Sequence, residues 1–430
     1  MTESGLSASP MAYTRAIRTA TAALASGQLI IVIDDADREN EADLVMAASR
    51  VSTASVAFMV ANTTGILCVP MLGAQLDRLR LPLMVDDNTE LHATAFTVSV
   101  DHVSTTTGVS AADRAATVRA LSDEDLHADS LRRPGHIFPL RYCEGGVLKR
   151  AGHTEATIDL LRIGGLPAAG LISELVSPDG SMMRETAARR FAAEHGLAVV
   201  TVADVVRWRR SNERLVERAG EATLPTEFGT FRAISYRSVL DGVEHLALTV
   251  GDVASSGRSA AGVLTRVHSE CLTGDTIGSL RCDCGSQLKD ALRLIADLGC
   301  GVLVYLRGHE GRGIGLGHKL RAYELQETGV DTVDANVRLG LPVDSREYGV
   351  GAQILGNLGV RRIRLVTNNP AKYGGLSGHD LEIVERVALP VRVTAENLAY
   401  LRTKRDRLGH LISALPDGPS AAQESETDTG

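Results

Sequence analysis

The chain reads as an α/β (α+β) protein: two different mixed α/β layered domains joined by a short charged linker. Three observations lead there. Its 430 residues exceed the ~100–200 of a typical domain. Short, continuous apolar runs alternate with helical periodicities in both halves, the pattern of layered α/β folds. A charged stretch interrupts that pattern, and no internal repeat relates the two halves on either side of it. The expected division is 1–208 for the first domain, 209–222 for the linker and 223–430 for the second domain, with 416–430 a disordered tail.

Met1–Pro10 is small, polar and without apolar period, so it is expected to be disordered; it also lacks the basic and apolar regions of a secretory signal. A helix over Tyr13–Ser26 is indicated by Ile17, Ala20, Thr21 and Leu24 sharing one face, with Gly27 as its stop. Leu29–Ile33 is an uninterrupted apolar run of buried-strand type. Val56–Asn62, Ile66–Val69, Phe96–Val100 and Ala111–Leu121 continue the alternation, and Met183–His195, Leu197–Val202 and Ala203–Trp208 close the first domain. Beyond the charged Arg209–Gly220, Leu224-Pro225-Thr226 opens a strand-rich region with Phe228–Ile234 and His245–Val250. Helix Ser286–Leu298, strand Val302–Leu306, helix His318–Glu327, strand Ile363–Val366 and a last helix near Ala395–Leu411 complete it.

Composition narrows the function classes. Hydrophobic residues make up 44% and charged residues 23%, a soluble globular profile, and no apolar run reaches the ~20 residues of a membrane span. Six cysteines in this length are too sparse for a disulfide framework, so a reducing cytoplasm is expected. Net charge is −8, half of it in the tail carboxylates Asp417, Glu424, Glu426 and Asp428. With 3% aromatic residues and no basic stripe, a zinc-dependent nucleic-acid binder is disfavoured.

Asp34 to Asp43 packs six carboxylates into ten residues directly after the first strand. The end of a buried strand is where α/β folds place ligands, and clustered carboxylates suit a hard cation such as Mg²⁺. A solvated acidic loop fits the composition as well. Further along the chain, Arg132-Arg-Pro-Gly-His-Ile-Phe-Pro139 precedes Gly145-Gly-Val-Leu-Lys-Arg-Ala-Gly-His-Thr-Glu155. The glycines there permit close backbone approach, Arg150 and Thr154 offer phosphate donors, and His136 and His153 offer acid, base or ligand groups. Together these suit a phosphorylated small molecule.

The first ~208 residues resemble 3,4-dihydroxy-2-butanone 4-phosphate synthase through Asp37-Arg-Glu-Asn-Glu41, Thr107-Gly-Val-Ser-Ala-Ala-Asp-Arg114, Arg133-Pro-Gly-His136 and Arg150-Ala-Gly-His-Thr-Glu-Ala-Thr157. The resemblance implies a Mg²⁺- (or Mn²⁺-) dependent conversion of ribulose 5-phosphate into a four-carbon phosphate and formate. Arg38 and Glu39 would bind substrate, with Glu39 and His153 as metal ligands. Asp43, Arg150 and Thr154 would contact the sugar phosphate, and His136 and Glu174 would be catalytic. A cation on two oxygens suits the enediolate such a reaction needs, and carboxylate and imidazole groups suit its proton transfers. The sequence departs at Ala42, where the family usually carries glycine; a positive φ there would strain alanine.

In the second half, Arg266-Val-His-Ser-Glu-Cys271 precedes Arg281-Cys-Asp-Cys284. Cys68, Cys143 and Cys300 are read as inert buried thiols. Three thiolates at 271, 282 and 284 would leave one zinc position open, the layout of a catalytic centre, although three inert cysteines fit the spacing as well. Gly308-His-Glu-Gly-Arg-Gly-Ile-Gly-Leu316 comes after a strand as a glycine-rich loop, neither P-loop nor dinucleotide fingerprint. Asp344-Ser-Arg346 and Thr367-Asn-Asn-Pro-Ala-Lys372 add charged and hydroxyl groups.

Residues ~223–415 resemble GTP cyclohydrolase II through these strings, Arg321-Ala-Tyr323 and Asp331-Thr332. The resemblance implies opening of the GTP imidazole ring with release of formate and pyrophosphate. Cys271, Cys282 and Cys284 would hold Zn²⁺. Arg266, Val267, His268, Ser269, Glu270, Gln287, Glu310, Gly311, Arg312, Thr332, Thr367 and Lys372 would bind GTP, with Mg²⁺ accompanying the triphosphate. Tyr323 would assist the second hydrolysis and Asp344 accept a proton. Arg346 matches the family's proposed nucleophile; a permanently charged guanidinium suits electrostatic stabilisation of phosphate instead. Both families imply a homodimer. The leading reading is a bifunctional riboflavin-biosynthesis enzyme; one active domain beside a scaffold is the alternative.

Overall fold

The structure, a computed structural model, describes residues 10–36, 38–328, 330–341, 346, 348–370, 381–412 and 415. It divides into two compact units, Met1–Asn212 and Glu213–Gly430, each built on a seven-stranded sheet. The segments expected to be disordered, 1–9 and 416–430, lie outside the described residues, and Pro10 already opens the first helix. Among the described residues no helix is long and apolar enough to cross a membrane.

The first unit runs α1 (Pro10–Ala25), β1 (Ile30–Ile33), β2 (Ala42–Ala47), α2 (Thr53–Asn62), β3 (Cys68–Met71), α3 (Gly73–Arg78), β4 (Val100–His102), α4 (Ala111–Leu121), β5 (Leu131–Arg141), α5 (His153–Ile163), β6 (Gly170–Glu174), α6 (Glu185–His195), β7 (Ala198–Thr201) and α7 (Val202–Asn212). Its sheet order is β4-β5-β3-β6-β2-β1-β7. Successive strand residues point to opposite faces: Ile31, Ile33, Leu44 and Met46 enter one core, while Ile30, Val32, Val45 and Ala47 enter the other. A sheet covered on both faces explains why β1 reads as an unbroken apolar run. Ser52 and Ser110 cap α2 and α4 by accepting hydrogen bonds from the amides of Ser55 and Asp113.

The acidic run is the connection of an antiparallel hairpin, because β1 and β2 pair from Ile30↔Val45 to Ile33↔Ala42. Ala42 is therefore extended and buried, and alanine fits it without strain; the positive φ of this loop, 55°, falls on Asn40. The stretch containing His136, given no secondary structure from the sequence, is the long strand β5, pairing with β3 and β4.

The second unit runs β8 (Val216–Thr226), β9 (Gly229–Ser238), β10 (Glu244–Val250), α8 (Val253–Ser256), β11 (Val263–Ser269), α9 (Leu272–Asp275), α10 (Cys284–Leu298), β12 (Gly301–Leu306), α11 (Glu310–Gly313), α12 (Leu316–Glu327), α13 (Thr332–Arg338), α14 (Gly349–Asn357), β13 (Arg362–Val366), β14 (Glu382–Val387) and a C-terminal helix, Leu398–Asp406. Its sheet order is β14-β13-β11-β12-β10-β9-β8. β11 is parallel to both β12 and β13, and β8 to β10 form an antiparallel meander.

The charged linker expected over 209–222 is occupied by regular structure. α7 continues to Asn212 and β8 begins at Val216. Arg209 is buried, and its Nη1 donates to Asp159 Oδ2 at 2.8 Å and to the Gly145 carbonyl at 2.8 Å. β8 is an edge strand whose residues after Val216 are nearly all exposed. It has no apolar face to generate the alternation that reveals a strand.

Candidate functional site

In the first unit, buried Asp34 shapes the acidic hairpin loop. Its Oδ1 accepts from the Glu41 amide at 2.8 Å, and its Oδ2 accepts from the Glu39 amide at 3.1 Å and from Arg38 Nη1 at 3.0 Å. Arg184 donates to the carbonyls of Glu39 (2.5 Å) and Asn40 (2.7 Å). Glu39 and Asp43 then converge on His153, the first residue of α5: His153 Nδ1 is 3.5 Å from Glu39 Oε2 and 3.8 Å from Asp43 Oδ1. Across the sheet, Asp43 pairs with Glu174, whose Oε2 accepts from Thr64 Oγ1 at 3.1 Å.

The electrostatics reflect this crowding. Burial raises the Asp43 carboxyl to about 7, reinforced by Glu174, Glu39 and Asp34 and opposed by His153. Burial also works against the charges of Glu39 and His153. The His153 hydrogen bond and the Arg38 charge nevertheless hold Glu39 at about 2, and Asp43 and Glu39 lift His153 to about 9. Asp43 Oδ1 and His153 Nε2 are buried without a hydrogen-bond partner, and such orphaned atoms call for a ligand or ion. Ligand atoms of Asp34, Glu39 and His153 all lie within 4.8 Å of one another, so this carboxylate-rich group fits a divalent cation.

Arg150 is held by buried Glu155 (Nη1 to Oε2, 2.7 Å) and by Thr94 Oγ1 (2.9 Å). Thr154 is buried in the first turn of α5. A Cβ on Gly152, the residue before α5, would lie 2.6 Å from Arg150 Nη1 and 3.1 Å from Arg38 Nη2; glycine leaves room there beside two guanidiniums. His136 is tied to Asp101 instead of this cluster, through Nδ1 at 2.7 Å and through its amide at 3.0 Å.

In the second unit the parallel strands β11, β12 and β13 end at Ser269, Leu306 and Val366. The loops leaving those ends line one cleft, as expected of parallel strands. Arg266, His268, Ser269, Glu270, Gln287, Gly311, Arg312, Tyr323, Thr332, Arg346, Thr367 and the three cysteines all line it. Strand parity excludes Val267: Leu264, Arg266 and His268 point one way, whereas Val263 and Val267 enter the opposite core with Ile354 and Ala352. Its side chain contacts that core and not the cleft. Glu310 is also withdrawn, because its buried carboxylate accepts from Lys319 Nζ and from the Leu272 amide, each at 2.5 Å. Asp344 and Lys372 lie outside the described residues.

Arg312, a residue lining the cleft, adopts a left-handed φ of 66° between Gly311 (59°) and Gly313 (91°), a conformation costly for arginine. Cys271 and Cys282 sulfurs are 3.8 Å apart, and the ligand atoms of Cys271, Cys282 and Cys284 lie within 4.8 Å of one another. A Cβ on Gly274 would lie 2.8 Å from Cys282 Sγ and 3.1 Å from Cys271 Sγ. Hydrogen bonds from the Cys282 and Cys284 thiols, with the Lys319 ammonium, hold Cys271 far below the usual thiol range. The same sharing pushes Cys282 up to about 11 and Cys284 well above its usual value. Three thiols competing for one negative charge fit a dication that would ionise them together. Of the cysteines read as inert, Cys68 is buried, while Cys143 and Cys300 are only partly so.

Sequence reasoning missed Asp34, Asp101 and Lys319. Asp34 carried a usable signal, opening the acidic run just after the first strand; Asp101 carried none, its partner being 35 positions away, and Lys319 joins Glu310, nine positions before it, to Cys271, 48 positions before it.

Residues 18–208 match the family model of 3,4-dihydroxy-2-butanone 4-phosphate synthase, and residues 217–388 match that of GTP cyclohydrolase II. Riboflavin biosynthesis protein RibBA of Mycobacterium tuberculosis is 56% identical over 404 residues, 93% of this chain and 95% of that protein. The RibBA of Nocardia farcinica is 55% identical over 93% of this chain and 97% of its own length. Among solved structures, RibBX, a two-domain 3,4-dihydroxy-2-butanone 4-phosphate synthase from A. baumannii, is similar with a TM-score of 0.66 at 34% identity, covering 87% of this chain and 99% of that one.

Proposed function

The chain belongs to the family of bifunctional riboflavin biosynthesis enzymes, with a 3,4-dihydroxy-2-butanone 4-phosphate synthase domain followed by a GTP cyclohydrolase II domain, and on that premise we propose which residues carry each reaction. The first unit converts ribulose 5-phosphate to the four-carbon phosphate and formate. The second hydrolyses GTP to a diaminopyrimidinone ribosyl phosphate, formate and pyrophosphate.

In the first site Arg38, Arg150 and Thr154 hold the sugar phosphate. Glu39 and His153 would hold Mg²⁺ or Mn²⁺, which when bound supplies Lewis-acid stabilisation of enediolate charge. Asp43, poised near neutrality, can take and return a proton, and Glu174 faces it across the sheet. Asp101 engages His136 at Nδ1, leaving Nε2 of that partly exposed ring to carry a proton.

In the second site Cys271, Cys282 and Cys284 would hold Zn²⁺, which when bound supplies Lewis acidity toward water and the purine ring. Arg266, Arg312 and Arg346, with Lys372, neutralise the triphosphate beside its Mg²⁺, and His268, Ser269, Glu270, Gln287, Thr332 and Thr367 orient the nucleotide. Tyr323 and Asp344 move protons. Val267 acts through its backbone, and Glu310 acts by holding Lys319. The assembly is a homodimer in the cytoplasm, the latter supported by six unpaired thiols.

The observation that carries the bifunctional reading is that each ligand group, carboxylate–imidazole and trithiol, closes within a single unit. RibBX favours the second reading, since that two-domain chain is described as a synthase alone; on this reading the GTP site is idle. Separate assays of the full chain with ribulose 5-phosphate and with GTP decide. Both substrates should turn over, and Cys282→Ser should abolish only the GTP reaction. No GTP turnover by the zinc-loaded wild type would leave the scaffold reading standing.

A further inference from the structure

Lys404 lies on the C-terminal helix, beyond the last residue that the resemblance associates with GTP, Lys372. Its Nζ donates to Asp283 Oδ1 at 2.6 Å across 121 positions, and the two side chains are only 10% and 1% exposed. Asp283 is the residue between Cys282 and Cys284. Its Oδ2 accepts from Gln287 Nε2 at 2.7 Å, Gln287 Oε1 accepts from Arg266 Nη2 at 2.8 Å, and Arg266 Nη1 donates to the Val366 carbonyl at 2.9 Å. An unbroken hydrogen-bonded chain therefore runs from the C-terminal helix, through the cysteine loop, to the ends of β11 and β13.

This chain fixes the Gln287 amide. With a carboxylate on one side and a guanidinium on the other, only one of its two amide orientations satisfies both partners. Without Lys404, Asp283 would be a buried carboxylate lacking its cation, an arrangement proteins avoid, and its nearest remedy is to draw in Gln287 and Arg266. The segment that follows the helix is fastened at two further points. Arg407 pairs with Asp331 and, at 3.0 Å, with Asp334, and Asp331 caps the helix that begins at Thr332. The Leu411 amide donates to the Asn368 carbonyl at 2.8 Å. The Tyr400 ring lies 4.8 Å from Lys404 Nζ.

We propose that Lys404 is a positioning residue of the GTP site: through Asp283 it sets the orientation in which Gln287 and Arg266 meet the nucleotide. The proposal rests on the cyclohydrolase reading above and adds the C-terminal helix to that site.

The test uses the full chain as wild type, Lys404→Met, Asp283→Asn and the double variant. It reads the affinity of a non-hydrolysable GTP analogue by calorimetry, KM and kcat for GTP, zinc per chain and the thermal unfolding profile. Lys404→Met should weaken analogue binding and raise KM about tenfold, with kcat and zinc content held and the unfolding transition kept but shifted to lower temperature, because a buried carboxylate loses its cation. The double variant should return binding to within about threefold of wild type, because the neutral amide that replaces the Asp283 carboxylate needs no cation and still accepts from Gln287.

Unchanged binding in Lys404→Met would overturn the proposal. So would a loss that the double variant does not recover, which would make Lys404 a direct contact of the nucleotide. Loss of zinc and of the unfolding transition together with binding would reduce Lys404 to a structural strut and overturn it as well. If Lys404→Met does not fold, Lys404→Gln, which keeps a donor for Asp283 but no charge, carries the test: weaker binding at unchanged zinc supports the proposal, and unchanged binding refutes it. Wild-type protein that neither binds the analogue nor opens GTP would strike the cyclohydrolase reading itself, and the proposal with it.

Discussion

Lys319 donates a hydrogen bond of 3.1 Å to the Cys271 sulfur from 48 positions further along the chain. The same ammonium donates to Glu310 and to Thr273 Oγ1 (2.6 Å), so it links the glycine-rich loop to the cysteine loop.

Lys319→Met leaves the Glu310 carboxylate buried without its cation. The second unit should lose about 3–5 kcal/mol of stability, and Lys319→Met/Glu310→Gln should recover most of it. Denaturant unfolding followed by circular dichroism measures both; a single variant as stable as wild type would mean that the pair contributes nothing.

Gly274→Ala places a Cβ 2.8 Å from Cys282 Sγ and 3.1 Å from Cys271 Sγ, spreading the thiols. Zinc retention against a competing chelator should fall at least about tenfold, while turnover of ribulose 5-phosphate is untouched. Equal zinc retention would show that the thiols do not bind metal together.

Glu39→Gln keeps the side-chain shape and removes the charge facing His153. The divalent-cation requirement of the sugar-phosphate reaction should rise, and its rate fall, by about a hundredfold, with GTP turnover unaffected. Wild-type rates at limiting Mg²⁺ would restore the solvated-loop reading.

His410 gives the second unit a pH dependence. Burial, then the Lys404 and Arg312 charges, push its folded-state pKa down from 6.5 to about 4. Between those values the unfolded chain binds more protons than the folded one, so stability rises with pH. The contribution is complete above about 6.5 and is lost as pH falls toward about 4. His410→Gln should flatten this part of the profile of unfolding temperature against pH; an unchanged slope would assign it to other groups.

Short-range pattern was enough to read much of the molecule. Helix Ala111–Leu121 has the bounds its periodicity indicates, and the apolar run before Asp34 is β1. The motif strings, through the family resemblance, named Glu39, His153 and the three cysteines; Glu39 and His153 stand on separate strings, and the fold brings them to 3.5 Å. β8 escaped detection because an exposed edge strand has no buried face to impose alternation, and β5 carries Pro134, Gly135 and Pro139, residues that weaken a strand signal.

The sequence by itself determined the class of fold and the two families, since these reside in local periodicity and in contiguous strings. Tertiary structure alone decided which side chains are free to act. The parity of β11 turns Val267 away from the cleft and Arg266 toward it. Burial commits Glu310 to Lys319, and chain crossings bring Asp101 to His136 and Lys404 to Asp283. The last two pairings join residues 35 and 121 positions apart. A hydrogen bond or ion pair acts over a few ångströms, so only the folding of the sheets brings those partners within its reach.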